Sequence, residues 1–467
     1  MQYRKLFFAA ALAALLPTAA GGQEIGSNDF RISQVGLDGV PPVGVSSPAL
    51  TYNSQRHEYL AVWRGRLSSA PDKVYVQRID ATDGREVGAD DLEIGTNGNE
   101  VISTAAAYDS RRDEYLVVWT SLEPDGNEAV YGQRLDGATA QPVGTDDFQI
   151  AFGGPFSGGF ANHRQPAVVY NPVGDEYLVA WASDAGVFQE RGEEEIFVRR
   201  IAGPTGLPAG PAVRISAAGG YGDRTFETAE PAVAHDPNGN VYLVVWEGND
   251  GNSREIFGQL LSGGTLAQVG VDDSRITFTT DSGGLKAVTP DVAFHPVARI
   301  FFTVFANELT ASSRIEGQWV DPSNGLPVTT PPIRFDPETG RERPQRPAVA
   351  VSPSEDNALV VWKGWAPDLA ASEREVFGRF FTSDGSLRDD ALRLSDVGGT
   401  GDSSFLVFNT LAAWGGSHGE ALTVWQGVED TSPNLAFEVY GQRLGTRGIF
   451  ADGFEAGDLS AWSTVVP

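Results

Sequence analysis

Residues 164–216 decide the fold. They open RQPAVVYNPVGDEYLVAWAS (164–183), pass through EEIFVRRIAG (194–203) and close with AGPAVRIS (209–216). Four short apolar runs lie in this stretch, at Val168–Tyr170, Tyr177–Trp181, Ile196–Ile201 and Ala212–Ile215. Each is rich in Val, Ile, Tyr or Phe and bounded by polar, Gly or Pro residues, which predicts four strands.

The same unit returns along the chain. The second strand reads EYLAVW to Trp63, EYLVVW to Trp119, EYLVAW to Trp181, VYLVVW to Trp246, IFFTVF to Phe305, NALVVW to Trp362 and EALTVW to Trp425. These seven large aromatics are the expected structural core of the repeat. The first strands (PALTY, TAAAY, PAVVY, PAVAH, PDVAF, PAVAV, TLAAW) are built from small residues, as strands converging on an axis require. The polar residue that follows six of them, such as Asn53 or Asp109, suits a turn whose backbone donors it caps. Gly132, Gly258, Gly317, Gly378 and Gly441 recur inside third strands, which predicts a bulge or a close approach there, with the second-strand aromatic lying across the glycine. Six fourth strands follow (LEIG, FQIA, VRIS, SRIT, PIRF, LRLS), and the seventh unit lacks one. FRIS at 30–33 stands ahead of the first unit and can supply it. The expected fold is all-β: a seven-bladed β-propeller of four-stranded antiparallel blades, closed by an N-terminal outer strand in the last blade. Closure removes the exposed sheet edges of an open array.

Residues 1–20 place Arg4 and Lys5 before the apolar run 6–16 and end on small residues, the order of a secretory signal peptide. The run is too short to span a bilayer. The domain reading is therefore a signal peptide at 1–20, a propeller at 21–445 and a short tail at 446–467. The chain has no cysteine, which excludes disulfides, thiolate metal sites and thiol nucleophiles. It carries 62 acids against 34 bases, a formal charge of -28. Such a charge disfavours nucleic acid.

First-to-second turns such as NSQRHE and NPVGDE are short and belong to one rim. The longer second-to-third turns share the other rim with the connections between blades, and the axial mouth on that rim is the expected binding face. Several of these connections carry Gly and aromatic residues. Phe156, Phe160, Tyr221 and Phe226 are the candidate ligand contacts, although plugging gaps between blades is their plainer role.

No catalytic set is legible. The five histidines are scattered over different blades, with no H-E-x-x-H pair, no G-x-S-x-G and no phosphate loop. Glu195, Glu255, Glu375 and Glu438 precede third strands, and Arg31, Arg214, Arg275, Arg334 and Arg393 recur on fourth strands. Recurrence of this kind indicates surface pairing that serves the scaffold. The loop 247–255, with Glu247 and Asp250, and the loop 123–128 are weak calcium candidates, since neither matches the EF-hand spacing. No cofactor is otherwise expected.

IFADGFEAGDLSAWS at 449–463 resembles a short C-terminal or domain-joining segment of secreted and surface proteins of Gram-negative and related bacteria. The resemblance covers only these residues and implies export, not an activity. The favoured functional reading is a non-enzymatic extracytoplasmic binding or interaction scaffold, monomeric, secreted or periplasmic. Its expected partner is an envelope or secreted protein or an extracellular polysaccharide. The alternatives are a propeller hydrolase or lyase acting on extracellular carbohydrate, and a structural module of an envelope assembly.

Overall fold

A strand buried on both faces needs apolar residues at every position, because successive side chains point to opposite sides. EYLVAW is such a run. In the computed structural model Glu176–Ser183 forms the second strand of blade three, paired with His163–Asn171 on one side and Glu195–Ala202 on the other. Tyr177, Val179 and Trp181 pack toward blade two, and Leu178 and Ala180 toward blade four. The cores therefore lie between blades. Trp63, Trp119, Trp181, Trp246, Phe305, Trp362 and Trp425 are at most 1% exposed. Three of these indoles stack on the aromatic opposite them on the third strand, Trp119 on Tyr131, Trp181 on Phe197 and Trp362 on Phe377, each with centroids 6.2 Å apart.

The structure describes residues 22–34, 44–66, 71–95, 99–152, 162–184, 194–217, 227–249, 251–279, 286–308, 313–328, 331–337, 344–365, 374–396, 406–416, 419–428 and 437–446. The expected signal peptide at 1–20 and, apart from Thr446, the expected tail at 446–467 lie outside them. Seven four-stranded antiparallel sheets follow in chain order, at 46–93, 100–151, 163–214, 228–275, 286–334 and 345–393, and finally 407–445 joined by 23–31. First strands of successive blades pack side by side, and that of blade seven packs on that of blade one, closing the ring. Among the described residues no helix is long and apolar enough to cross a membrane.

The closing strand is longer than FRIS implies. Gln23–Arg31 pairs with Phe437–Gly445 from Gln23↔Gly445 to Arg31↔Tyr440, and the Ile32 amide then donates to the Val439 carbonyl. At the recurring glycines the close approach is present, but the crossing group is corrected. A Cβ on Gly132 would meet Phe148 of the outer strand at 2.9 Å, on Gly258 Ile276 at 2.8 Å and on Gly378 Leu394 at 2.7 Å, each just past the outer strand, whereas on Gly317 it would meet Phe302 of the second strand. The core indole is not the obstacle, because it packs between blades.

The recurring Glu and Arg residues are also not a surface feature. Glu375 is 1% exposed; its carboxylate accepts from Arg393 Nη2 at 2.6 Å and from the Ser395 hydroxyl, while Ser395 Oγ accepts the Val376 amide. Glu438 with Arg31 and Ser33, and Glu255 with Arg275 and Thr277, repeat the arrangement. It ties the last strand of each of these blades to the start of the third. A second tie uses the third-strand glutamine. Gln77, Gln259 and Gln442 accept the amides of Asp91, Asp273 and Asp29, which sit at positive φ on outer-strand bulges. Those aspartates then accept an amide from the preceding blade: Gln34 on Asp91, Ala217 on Asp273 and Asp396 on Asp29.

At the rim of the first-to-second turns the expected caps are in place. Asn53 Oδ1 accepts the amides of Gln55 and Arg56, Asn171 Oδ1 those of Val173 and Gly174, and Ser352 Oγ those of Ser354 and Glu355. Asn171 Nδ2 also reaches the next blade, donating to Asn240 Oδ1 and the Tyr242 hydroxyl at 2.9 and 2.8 Å.

Candidate functional site

The first strands do not run straight into the axis. Near its start each one carries a register shift, at Ser46/Ala49 in blade one and Ala229/Ala232 in blade four, for example. A bulge puts an extra residue on one strand and re-aims its side chain. That residue is Ser47, Gln165, Glu230, Thr289, Arg346 or Asn409, each at a φ between 48° and 52°, where a side chain is disfavoured. Non-glycine residues held there cost roughly 1 kcal/mol or more each and cluster at functional sites. Ser103 stands at the aligned position of blade two, where the extra residue is Ile102 and Ser103 itself pairs with Thr120.

The seven form a polar ring around a cavity of about 550 Å³ on the axis, with the Pro, Thr, Ala and Leu residues that follow them as its floor. The volume suits a small-molecule or oligosaccharide site. The rim is the one expected from the strand connections. The side chains differ at every blade except for the two serines. Glu230 and Arg346 face each other across blade five, with Arg346 Nη2 3.9 Å from Glu230 Oε1. Gln165 Oε1 accepts the Glu230 amide at 2.9 Å, and Asn409 Nδ2 donates to Gln426 Oε1 at 3.1 Å. The hydroxyls of Ser103 and Thr289 are buried without a hydrogen-bond partner. A strained backbone and an unsatisfied hydroxyl together at Thr289 are costs that packing does not require.

Burial pushes the Glu230 carboxyl above the ordinary glutamate range; Arg346 pulls it back and Glu247 pushes it further up. One step deeper, where most blades have alanine, blade five has Asp291. Burial raises it to about 6, against the Val349 and Val292 amides that its oxygens accept at 2.9 and 2.8 Å. The mouth thus brings together two carboxyl groups biased toward holding a proton, one guanidinium, and amide and hydroxyl groups able to bond sugar hydroxyls.

Phe156, Phe160, Tyr221 and Phe226 lie outside the described residues, as does Asp250. Glu247 is engaged, with Arg254 Nη1 at 2.5 Å and the Thr289 amide at 3.2 Å. In the other calcium candidate, Asp125 bonds Asn127 and Glu123 bonds Asn99. Among the described residues no three metal-ligating side chains converge. Glu230, Asp291 and Arg346 were not singled out in the sequence. The one signal was that PDVAF alone replaces the second-position Ala or Leu of the first strands with an acid.

No family model matches the chain, and no curated protein matches it. Among solved structures, an ulvan lyase of a polysaccharide lyase family, bound to -[GlcA(1-4)Rha3S]-, aligns over 91% of this chain and 97% of its own with a TM-score of 0.54 and 9% identity. An α-L-arabinanase from Penicillium chrysogenum aligns over 72% of this chain and 94% of its own (TM-score 0.42, 15% identity). A thermostable family-43 glycoside hydrolase aligns over 80% and 100% (TM-score 0.41, 12% identity). At these identities the likeness to the ulvan lyase establishes a shared propeller architecture. The ulvan lyase is by its description an enzyme bound to a polysaccharide fragment, a finding that stands against the non-enzymatic scaffold as the favoured expectation and leaves the hydrolase-or-lyase alternative as the reading to propose.

Proposed function

We propose that the chain is an extracytoplasmic hydrolase or lyase that acts on polysaccharide at the axial mouth. The observation that carries this reading is the bulge-borne ring, in which the repeat gives up its symmetry to place Glu230, Arg346, Gln165, Thr289 and Asn409 around one cavity. Glu230 is the proton-transfer group. Held above the usual glutamate range, it can donate to a glycosidic oxygen or, once ionised, accept a proton from the sugar ring. Arg346 holds negative charge on the substrate opposite it, and Asp291 sets the field below. Ring amides and hydroxyls orient the saccharide. The basic, apolar, small-residue order of 1–20 and the tail resemblance support export.

A panel of acidic and neutral polysaccharides tests the reading, with product ends scored both as new reducing sugars and as ultraviolet-absorbing unsaturated sugars. Cleavage of at least one member, lost by about 100-fold or more in Glu230→Gln at unchanged melting temperature, is expected. A folded chain that cleaves none of them, or a Glu230→Gln variant of full activity, overturns it.

A further inference from the structure

Blade six differs from its six siblings beside the mouth. Two equivalent positions flank the rim in every blade: the residue after the core aromatic, and the third-strand residue two places before its register partner. In blade one they are Arg64 and Asp72, 3.5 Å apart. In blade four they are Glu247 and Arg254, paired at 2.5 Å. In blades two and three the third-strand residue is an acid, Glu128 or Glu194, and Arg164 meets both at 2.5 and 3.2 Å. Blades five and seven carry no charge at either position, with Ala306 and Ser313, and Gln426 and Phe437. Only in blade six are both cationic, Lys363 and Arg374.

Neither has an acidic partner among the described residues. Lys363 Nζ lies 5.0 Å from the centroid of the Phe408 ring, and the Arg374 guanidinium 5.8 Å from that of Trp365. Aromatic faces therefore hold both cations. The nearby acid, Glu308, bonds Gln345 at 3.4 Å. Lys363 is only 6% exposed. Lys363 and Arg374, with Gln345, Gly364 and Trp365, line a small cavity of about 80 Å³, and Arg346 of the axial ring follows Gln345 directly. Burial, with Arg346 and Arg374 adding repulsion, pushes Lys363 down to about 8. In a protein carrying 62 acids and 34 bases, the described residues place three cations together here, with Glu230 3.9 Å from Arg346 and Glu308 bonded to Gln345 as the acids beside them. A buried ammonium without a counter-charge is costly.

We infer that this cavity is an anion subsite of the axial mouth, which takes a carboxylate or sulfate group of an acidic saccharide between Lys363 and Arg374, with Trp365 beside the sugar. The inference rests on the carbohydrate reading above and names its substrate class. The anion supplies the charge that blade four supplies with Glu247. The cavity admits a single charged substituent, not a sugar ring, so the chain continues toward the axis past Arg346.

The test is calorimetric titration of the full-length Glu230→Gln variant, in which substrate is not consumed. The probes are oligogalacturonate, a sulfated carrageenan oligosaccharide and a neutral arabinan oligosaccharide. At least one acidic probe is expected to bind about tenfold or more tighter than the neutral one, and which acidic probe binds identifies the group. Adding Lys363→Met or Arg374→Gln is expected to weaken the acidic probe about tenfold, with the neutral probe unchanged and Arg374→Lys restoring part of the loss. Melting temperatures confirm that each variant is folded. Equal affinity for acidic and neutral probes, or acidic binding untouched by both substitutions, overturns the subsite while neutral binding leaves the axial reading standing. Binding of inorganic sulfate alone, lost in Lys363→Met, with no saccharide bound, overturns the saccharide assignment and the carbohydrate reading together.

Discussion

The two rims of this propeller use the same repeat in opposite ways. At the rim of the first-to-second turns, equivalent positions do equivalent work: Asn53, Asn171 and Ser352 each cap two amides of their own turn. At the axial mouth, equivalent positions carry Ser47, Ser103, Gln165, Glu230, Thr289, Arg346 and Asn409. The first pattern lowers the free energy of each blade that carries it in the same way. The second spends stability on left-handed backbone and on hydroxyls without partners. In a repeat protein, sameness marks what folds the chain, and difference at constant geometry marks what the chain does.

Four experiments can break or sharpen that contrast. The largest effect belongs to the closure. Deleting residues 22–36 removes the outer strand of blade seven, exposes the edge of Phe437–Gly445 and should cause aggregation. A deletion variant that stays monomeric with an unchanged melting temperature rejects the closure as a source of stability. Next is the inter-blade core. Trp181→Ala should cost about 3–5 kcal/mol in denaturant unfolding, through the cavity it opens between blades two and three. A cost below about 1 kcal/mol is the signature of a surface residue and would contradict its burial.

A paired substitution compares the rims directly. Asn171→Ala leaves the Val173 and Gly174 amides without their acceptor, while the Tyr242 hydroxyl keeps its bond to Glu176, and should cost about 1–3 kcal/mol. Thr289→Gly removes a strained β-branched residue and a partnerless hydroxyl at the mouth, and should be neutral or stabilising by about 1 kcal/mol. Its expected loss is in saccharide binding. If both substitutions destabilise equally, the mouth is scaffold after all.

The smallest effect is on pH. Asp29 and Asp291 are raised to about 6 and Asp91 to about 7, mainly by burial. For each, the folded state disfavours the charged form. The penalty is absent below the unfolded value near 4 and complete above the folded one, so melting temperature should fall as pH rises from about 4 to 7. Lys363 acts in the alkaline range. Its folded value of about 8 lies below the ordinary 10.5, so its penalty is full below 8 and is relieved as pH rises through 8 to about 10.5. In Lys363→Met that alkaline rise should vanish. A melting temperature that rises between pH 4 and 7 would show that ion pairs outweigh these buried aspartates.

The blades were legible in the sequence because both faces of each second strand are buried. Between the first residue and the core aromatic, EYLVVW and its relatives are apolar except at Thr303 and Thr423, which leaves little to blur the register. The turn caps were legible too, since an Asn, Asp or Ser after the first strand has a local target. The outer-strand ties were misread as surface pairs, because a Glu in the sequence does not reveal that Arg393 and Ser395 will enclose it. The third-strand glycines were read correctly as close contacts and wrongly as contacts with the indole. Which neighbour presses on a glycine depends on the bulge between third and fourth strands, and a bulge shifts register without leaving a composition signal.

The sequence by itself determined a closed ring of seven four-stranded blades, since a repeat with one outer strand missing at the end and one spare at the start closes in one economical way. Only the tertiary structure decided where chemistry can occur. Glu230, Asp291 and Arg346 are scattered over more than a hundred positions of the chain, and Lys363 and Arg374 look like two of many surface charges. They come together because each first strand bulges at the axis and because blade six has two cations where blades one to four each supply an acid. Convergence of that kind depends on backbone φ and on neighbouring blades, which no local pattern of residues records.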